Sequence, residues 1–391
     1  MSVKFLTKLM GMILVVLLVA TSCAPKATPT PSAAVPEVIK IGVYLPMTGA
    51  MAGGGQMEWE GIQLAHDLKP KVLGKDVQLI LVDNKSDKVE AATAVTRLIE
   101  AEKVVAILGS YGSSLSMAGG EVAEKAGIPV LGTSPTNPLV TQGKKWYFRT
   151  CFIDPFQGYV VAKYAVEQLK AKTAAILMDV RQDYSVGIST YFRDAFIKLT
   201  GNPESVLTIV SYHTGDQDFT AQLTTIMNLK PDVVFAPAYM ADAGLIWRQA
   251  KDLGLYPKTP ILGADAMDAP EFIQIAGDAA EGACYSTHYH TEAFAGPASK
   301  KFVEEYRKKY NKEPNAMSAL GYDTYNLMLD AIERAGSANP AAIRDALEAT
   351  KGFEGATGTI TMDENHNAKK PAVILCVEGG KPIYKATVQP D

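Results

Sequence analysis

Apolar residues in this chain fall into short unbroken runs that alternate with longer stretches carrying an apolar residue every third or fourth position. The runs at residues 38–45 (VIKIGVYL) and 76–82 predict strands, and those at 104–108 and 128–132 predict strands buried on both faces. Met57, Gly61, Leu64 and Ala65 predict one helix, Ala92, Val95, Leu98 and Ile99 a second, and residues 116–126 a third. Strand and helix alternating in this way specify a parallel sheet covered by helices, with right-handed crossovers. After WYFRTC at residues 146–151 and a helix at 157–169 the rhythm starts again. Strands are predicted at 174–178, 206–212, 233–238 and 261–263, and helices at 186–199, 219–229 and 243–253. The tail differs: helical patterns at 298–310, 320–335 and 341–349 precede β character at 357–362 and 373–377, with a hairpin turn at Gly379-Gly380. The fold class is α/β, with two doubly wound parallel-sheet lobes. A chain that leaves the first lobe, builds the second, returns and crosses again implies a multi-strand hinge, expected near residues 152–156, 285–290 and 367–372.

Two neighbouring strand ends in the first lobe carry clustered hydroxyls. The run at 104–108 leads into GSYGSS, with Tyr111, Ser113 and Ser114, and the run at 128–132 leads into Thr133, Ser134, Thr136 and Asn137. Such turns lie at the carboxyl edge of a parallel sheet, where N–H groups and short hydroxyls meet a ligand. Equally, Ser113 could serve as a helix cap and Thr136 as a turn former. In the second lobe Tyr184, Tyr239 and Asp265 stand at or just past strand ends, so they face that lobe's own carboxyl edge. Two confronted edges enclose a cleft.

Composition narrows the options. At 391 residues, 47% apolar and 20% charged, the chain has enough material for two domains. Its net charge of −4 becomes −6 once a leader with Lys4, Lys8 and no acid is set aside, which excludes a nucleic-acid partner. Lys4 and Lys8 precede a short apolar run at residues 9–20, the pattern of a secretory signal over residues 1–22. Ala20-Thr21-Ser22-Cys23 resembles a bacterial lipoprotein box with Ala20 in place of the usual leucine, so Cys23 is the expected lipidated N-terminus, with ordinary signal cleavage as the alternative. Residues 23–36, rich in Pro, Ala and Thr, read as an extended tether. Cys151, Cys284 and Cys376 remain; they are read as buried thiols, with at most one disulfide among them.

Catalytic signatures are missing from the sequence: there is no GxSxG, HExxH or CxxC. GAMAGGG at residues 49–55 lacks the order of a phosphate or dinucleotide loop and reads as a flexible rim of the cleft. His288, His290 and Glu292 alternate at strand spacing, a weak metal signal. No cofactor, metal or enzymatic activity is expected.

The series YLPMTG (44–49), GSYGSS (109–114), TSPTNP (133–138), FRT (148–150), DY (183–184) and GDAAEG (277–282) resembles the leucine/isoleucine/valine-binding proteins of ABC transporters, of the type I periplasmic-binding fold. The resemblance covers essentially the whole mature chain. It implies that Ser113 and Thr136 hold a ligand α-carboxylate and that Ser134 offers a backbone carbonyl to the ammonium. Asp265 completes ammonium binding where the family more often has glutamate, and Tyr184 and Tyr239 come in from the second lobe, with Tyr111 beside them. Asp265 could instead cap a helix beside Ala269 and Pro270. Gly54 stands where the family usually places an aromatic, so open space above the ligand side chain is expected there, and the family's first-lobe disulfide is missing at Ser86 and Gly112. Lobes are expected at 37–153 with 288–366, and at 157–285 with 372–391. The implied protein is a monomeric, exported, lipid-anchored receptor on the outer face of the cytoplasmic membrane or in the periplasm. It would bind an amino acid, branched-chain or otherwise apolar, and hand it to an ABC permease and ATPase. A ligand-sensing receptor of the same fold for an amide or aromatic acid is the alternative.

Overall fold

A computed structural model describes residues 35–390; the leader, Cys23 and nearly all of the tether lie outside them. The first lobe is built on a six-stranded sheet: β1 (Val38–Leu45), β2 (Lys71–Val72), β3 (Lys75–Asp83), β4 (Ala106–Leu108), β5 (Val130–Gly132) and β6 (Tyr147–Arg149). Their order is β2-β3-β1-β4-β5-β6, all parallel except the short β2. The helices between them are α1 (Ala52–Leu68), α2 (Lys88–Glu100) and α3 (Ser113–Ala126). Ile39, Ile41, Val43 and Leu45 on one face of β1 and Tyr44 on the other are fully buried, as a strand covered on both faces requires.

The chain then enters α4 (Asp154–Glu167) and the second lobe, with β7 (Ala174–Asp179), α5 (Asp183–Thr200), β8 (Val206–Tyr212), α6 (Thr220–Leu229), β9 (Val233–Phe235), α7 (Met240–Asp252), β10 (Ile261–Gly263), α8 (Pro270–Ala276) and β11 (Cys284–Thr287). Helices α9 (Pro297–Tyr310), α10 (Ala316–Ala335) and α11 (Pro340–Glu348) follow, and α9 and α10 pack on α1 of the first lobe. After a small hairpin, β12 (Phe353–Gly355) and β13 (Gly358–Ile360), the chain returns to the second sheet as β14 (Ala372–Glu378) and β15 (Lys381–Val388). That sheet has the order β15-β14-β11-β10-β9-β7-β8, antiparallel only at its β11-β14-β15 end. The chain thus passes between the sheets three times: after Arg149, after Thr287 and before Ala372. Phe152 of the first passage lies ring to ring with His288 of the second at 3.9 Å and packs with Ala372 of the third.

Two sequence expectations are corrected here. Helix α1 starts at Ala52, so Gly53, Gly54 and Gly55 form its first turn and are not a flexible rim. Cys284 and Cys376 are directly opposed across the β11–β14 ladder and joined in a disulfide, and among the described residues only Cys151 is a buried free thiol. The opposed register brings the two side chains to one face of the sheet, a relation that strand prediction without β11 could not supply.

Strand order reverses at β1–β4 in the first sheet and at β7–β9 in the second, and a ligand crevice is expected at such switch points beyond the carboxyl ends. Tyr111 and Ser113 follow β4, Ser134 follows β5, Tyr184 follows β7, Tyr239 follows β9 and Asp265 follows β10. No helix among the described residues is long and apolar enough to cross a membrane.

Candidate ligand site between the lobes

Asp265 is 3% exposed and sits in a converging set of donors. Its Oδ1 accepts from Gln157 Nε2 at 2.8 Å and from the Tyr184 hydroxyl at 2.7 Å. Its Oδ2 lies 3.0 Å from Nε2 of His288, whose Nδ1 has no hydrogen-bond partner. Burial lowers the His288 pKa against the pull of Asp265, so the imidazole is neutral, with Nε2–H as its donor. Gln157 also donates to Ser286 Oγ at 2.9 Å, which fixes the amide. A carboxylate offers about four acceptor positions. Three are taken by protein donors, and one at Oδ2 is left over. The nearby helix α8 is capped at Ala269 without any side chain, which removes the helix-cap reading of Asp265.

On the first lobe, Ser113 is the first residue of α3 behind Gly112, so it is not the cap. Its Oγ accepts the backbone N–H of Asn137 at 3.1 Å, tying the β4 and β5 turns together. Thr136 is buried beside Asp154, and its hydroxyl makes no well-formed hydrogen bond. Burial, together with the charge of Asp265, pushes the Asp154 carboxyl far above the ordinary range. The Ser134 hydroxyl is engaged by the fully buried Glu58 of α1, whose other oxygen accepts from Thr133 at 2.6 Å. Burial raises the Glu58 pKa to about 8, partly offset by these two hydroxyls, so this carboxyl is neutral at pH 7.

Tyr111, Tyr184 and Tyr239 form an aromatic row, with Tyr239 5.7 Å from Tyr111 and 5.6 Å from Tyr184 between ring centres. Burial holds all three phenols far above their ordinary pKa. The Tyr111 hydroxyl donates across the cleft to the Ala266 carbonyl at 3.3 Å. These three tyrosines, Ser113, Ser134 and Asp265 line one cavity with Gly112 and Ala266. Its free volume is about 10 Å³, room for a single water, so a larger solute enters only if the lobes part. A larger groove of about 460 Å³ beside α9, lined by Phe294, Ser299, Lys300, Val303, Glu304 and Arg307, includes none of the residues that gather around Asp265.

The lobes are in contact around this cavity. A Cβ on Gly53 would lie 2.7 Å from Met240 Sδ and Glu271 Oε2 of the second lobe, so the first turn of α1 abuts α7 and α8. The space expected above Gly54 is filled, because a Cβ there would lie 2.3 Å from the Tyr111 ring. Tyr111 from the β4 turn thus occupies the position expected to be open.

Of the seven expected ligand residues, six line the cavity, and Thr136 is buried but outside its lining. Glu58, Gln157 and His288 were not foreseen as part of the site. Glu58 had a signal, since it shares the apolar face of α1 with Gly54, Gly61 and Ile62 at helical spacing. His288 and His290 do not converge on a metal: the first meets Asp265 and the second stacks 6.1 Å from Tyr384, and no cluster of metal-ligating side chains occurs among the described residues.

A family model described as periplasmic binding protein matches residues 38–381, and the chain belongs to that family. It is a family of solute-binding proteins, which implies an exported protein. Among individual relatives, the chain is 30% identical over 342 residues, 85% of its own length and 88% of the relative's, to the leucine-, isoleucine-, valine-, threonine- and alanine-binding protein of Pseudomonas aeruginosa. Its structure is similar to that of a leucine-binding protein, LivK, from Thermotoga maritima, with a TM-score of 0.87, 47% identity, and coverage of 90% of this chain and 99% of that one. It is similar also to LivJ, a branched-chain amino acid transporter substrate-binding protein from Streptococcus pneumoniae in complex with isoleucine, with a TM-score of 0.83, 33% identity, and coverage of 90% and 100%.

Proposed function

We propose that this protein captures a branched-chain or similar apolar L-amino acid between its lobes and delivers it to an ABC permease driven by a separate ATPase. The observation that carries this reading is Asp265: three protein donors fix a buried carboxylate with one acceptor position left, which suits an ammonium. A zwitterion leaving water needs both charges matched, since an unpaired buried ion costs several kcal/mol. On the facing lobe, Ser113 and Thr136 supply hydroxyls for the α-carboxylate, and the tyrosines supply apolar surface for the side chain. An aromatic acid would leave that acceptor of Asp265 unpaired, and a simple amide could donate to it but would bring no positive charge to match the carboxylate. We take residues 37–153 with 288–366 as one lobe and 157–285 with 372–391 as the other, with lipidated Cys23 holding a monomeric receptor at the membrane.

Calorimetric titration with L-leucine, L-isoleucine, L-valine and 4-methylpentanoic acid tests the assignment. The amino acids are expected to bind at least about a hundredfold more tightly than the deaminated acid, and Asp265→Ala to lose a similar factor for leucine while still melting cooperatively. Equal affinity of the wild type for leucine and 4-methylpentanoic acid overturns it.

A further inference from the structure

Arg149, at the end of β6, is fully buried, and none of the described carboxylates lies within ion-pair distance of it. Its guanidinium is spent on one short segment instead. Nη1 donates to the carbonyls of Pro135 at 2.6 Å and Asn137 at 2.8 Å. Nη2 donates to the Pro138 carbonyl at 3.3 Å and to Thr141 Oγ1 at 2.7 Å. The Arg149 backbone is itself held, its N–H donating to the His366 carbonyl at 3.1 Å. A buried cation without a counter-charge is costly, so the arrangement asks for a purpose.

The geometry of the peptide group supplies one. The Pro135–Thr136 bond is trans, so turning its carbonyl onto Arg149 aims the Thr136 N–H in the opposite direction. The Thr136 hydroxyl is buried against the Asp154 carboxyl without a well-formed hydrogen bond. Ser113 Oγ accepts from the Asn137 N–H, which leaves the hydroxyl proton of Ser113 available. The Thr136 N–H and the Thr136 and Ser113 hydroxyls thus gather where two turns meet, and the cation behind them polarises the Pro135–Thr136 peptide that carries the first. Such a nest of donors suits an anion.

We infer that Arg149 is a positioning residue for the ligand's α-carboxylate: it pins the carbonyls of Pro135, Asn137 and Pro138 so that the Thr136 N–H is turned towards the ligand, and it supplies the compensating positive charge from behind the loop. Arg149 does not touch the ligand. This inference rests on the amino-acid reading above, and it adds that carboxylate recognition is set by a side chain outside the cavity wall.

The test compares L-leucine with L-leucinamide, which keeps the ammonium and side chain but has no carboxylate. Wild type, Arg149→Lys and Arg149→Gln are titrated with both, and thermal melts establish which variants fold. The wild type is expected to prefer leucine strongly, and each folded variant to lose at least about tenfold of that preference, chiefly through weaker leucine binding. A purely structural role lowers the melting temperature and leaves the leucine-to-leucinamide ratio at its wild-type value, which overturns the inference. Equal wild-type affinity for the two probes overturns the amino-acid reading itself. If neither variant folds, the guanidinium ¹⁵N resonances of Arg149 in the wild type decide. They are expected to shift with leucine and much less with leucinamide, and no shift with leucine overturns the inference.

Discussion

The Asp183 carboxylate accepts the Ser114 hydroxyl at 2.8 Å while the Asp183 backbone N–H donates to the same Ser114 oxygen at 3.0 Å, so the start of α5 is cross-bonded to the start of α3. Lys88 adds an ion pair to Asp183 at 2.9 Å, and Asn137 Nδ2 donates to the Asp183 carbonyl at 2.7 Å. Every one of these partners belongs to the first lobe.

Asp183→Ala is therefore expected to weaken closure without altering the cavity wall. The Lys88 pair is about half exposed and contributes little, whereas the bond from Ser114 to a charged group is worth about 1.5–3 kcal/mol. Leucine affinity should fall by roughly one to two orders of magnitude, with a larger radius of gyration at sub-saturating ligand. Burial alone would raise the Asp183 pKa, but Lys88 and Ser114 outweigh it and hold it below the ordinary carboxylate range. The latch is thus complete above about pH 4 and is lost as pH falls through that depressed value. Calorimetry and small-angle scattering of the variant check this; wild-type affinity and dimensions would remove the latch.

Gly54→Ala places a Cβ against the Tyr111 ring. Alanine favours the helix by up to about 1 kcal/mol, and overpacking costs about 1–3 kcal/mol. A net loss of stability is expected, along with at least about a fivefold loss of leucine affinity as Tyr111 is pushed from its bond to Ala266. Tyr111→Phe should lose only the part of that effect due to the bond. Thermal melts and titrations of both variants separate packing from hydrogen bonding.

The elevated pKa of Glu58, about 8, has a sign for stability. The folded protein keeps a proton that the unfolded chain releases near pH 4.5, so this contribution is complete below pH 4.5 and is lost as pH rises through about 8. Asp268, raised to about 6, and Asp242, raised to about 7, act in the same direction through burial. The melting temperature is expected to fall between about pH 5 and pH 8 and to fall less in Glu58→Gln. An identical pH profile for the variant would show that Glu58 ionises normally.

The Cys284–Cys376 bond closes a 92-residue separation. Loop closure on that scale stabilises by about 4–5 kcal/mol in the chain-entropy description, and measured values more often reach about 2–4 kcal/mol. Cys284→Ala with Cys376→Ala should lower the denaturation midpoint by a corresponding amount and leave leucine affinity within about twofold, since neither residue lines the cavity. Reduction of the wild type should reproduce the shift. Equal midpoints with and without reductant would show that the thiols are free.

Much of the scaffold was legible from its apolar runs: β1 and β10, buried in the sheet, begin and end where the pattern placed them, and so does the edge strand β8, although its Leu207 and Ile209 are exposed. β11 escaped because its buried Ser286 and Thr287 are satisfied by Gln157 and Asp268, so its burial is polar and carries no hydrophobic signature. The start of α1 was misread because Gly53 and Gly54 look like a loop while serving close approach to Met240 and Tyr111. The cavity residues at strand ends were legible from topology. Gln157 and His288 were not, because their partner Asp265 is distant in sequence and no local spacing records the contact.

The threefold passage of the chain between its sheets has a kinematic consequence. A body attached at one flexible point retains three independent rotations, whereas attachment at three points restricts it to something close to one. Here Phe152 knits the first passage to His288 and Ala372, and the His366 carbonyl is bonded to Arg149, so the attachments behave as a strip rather than three loose cords. Motion of the two halves is then confined to a path instead of a volume. The orientational entropy lost on shutting is correspondingly small, which lets a solute with only a handful of heavy atoms supply enough free energy to hold a protein of this size closed.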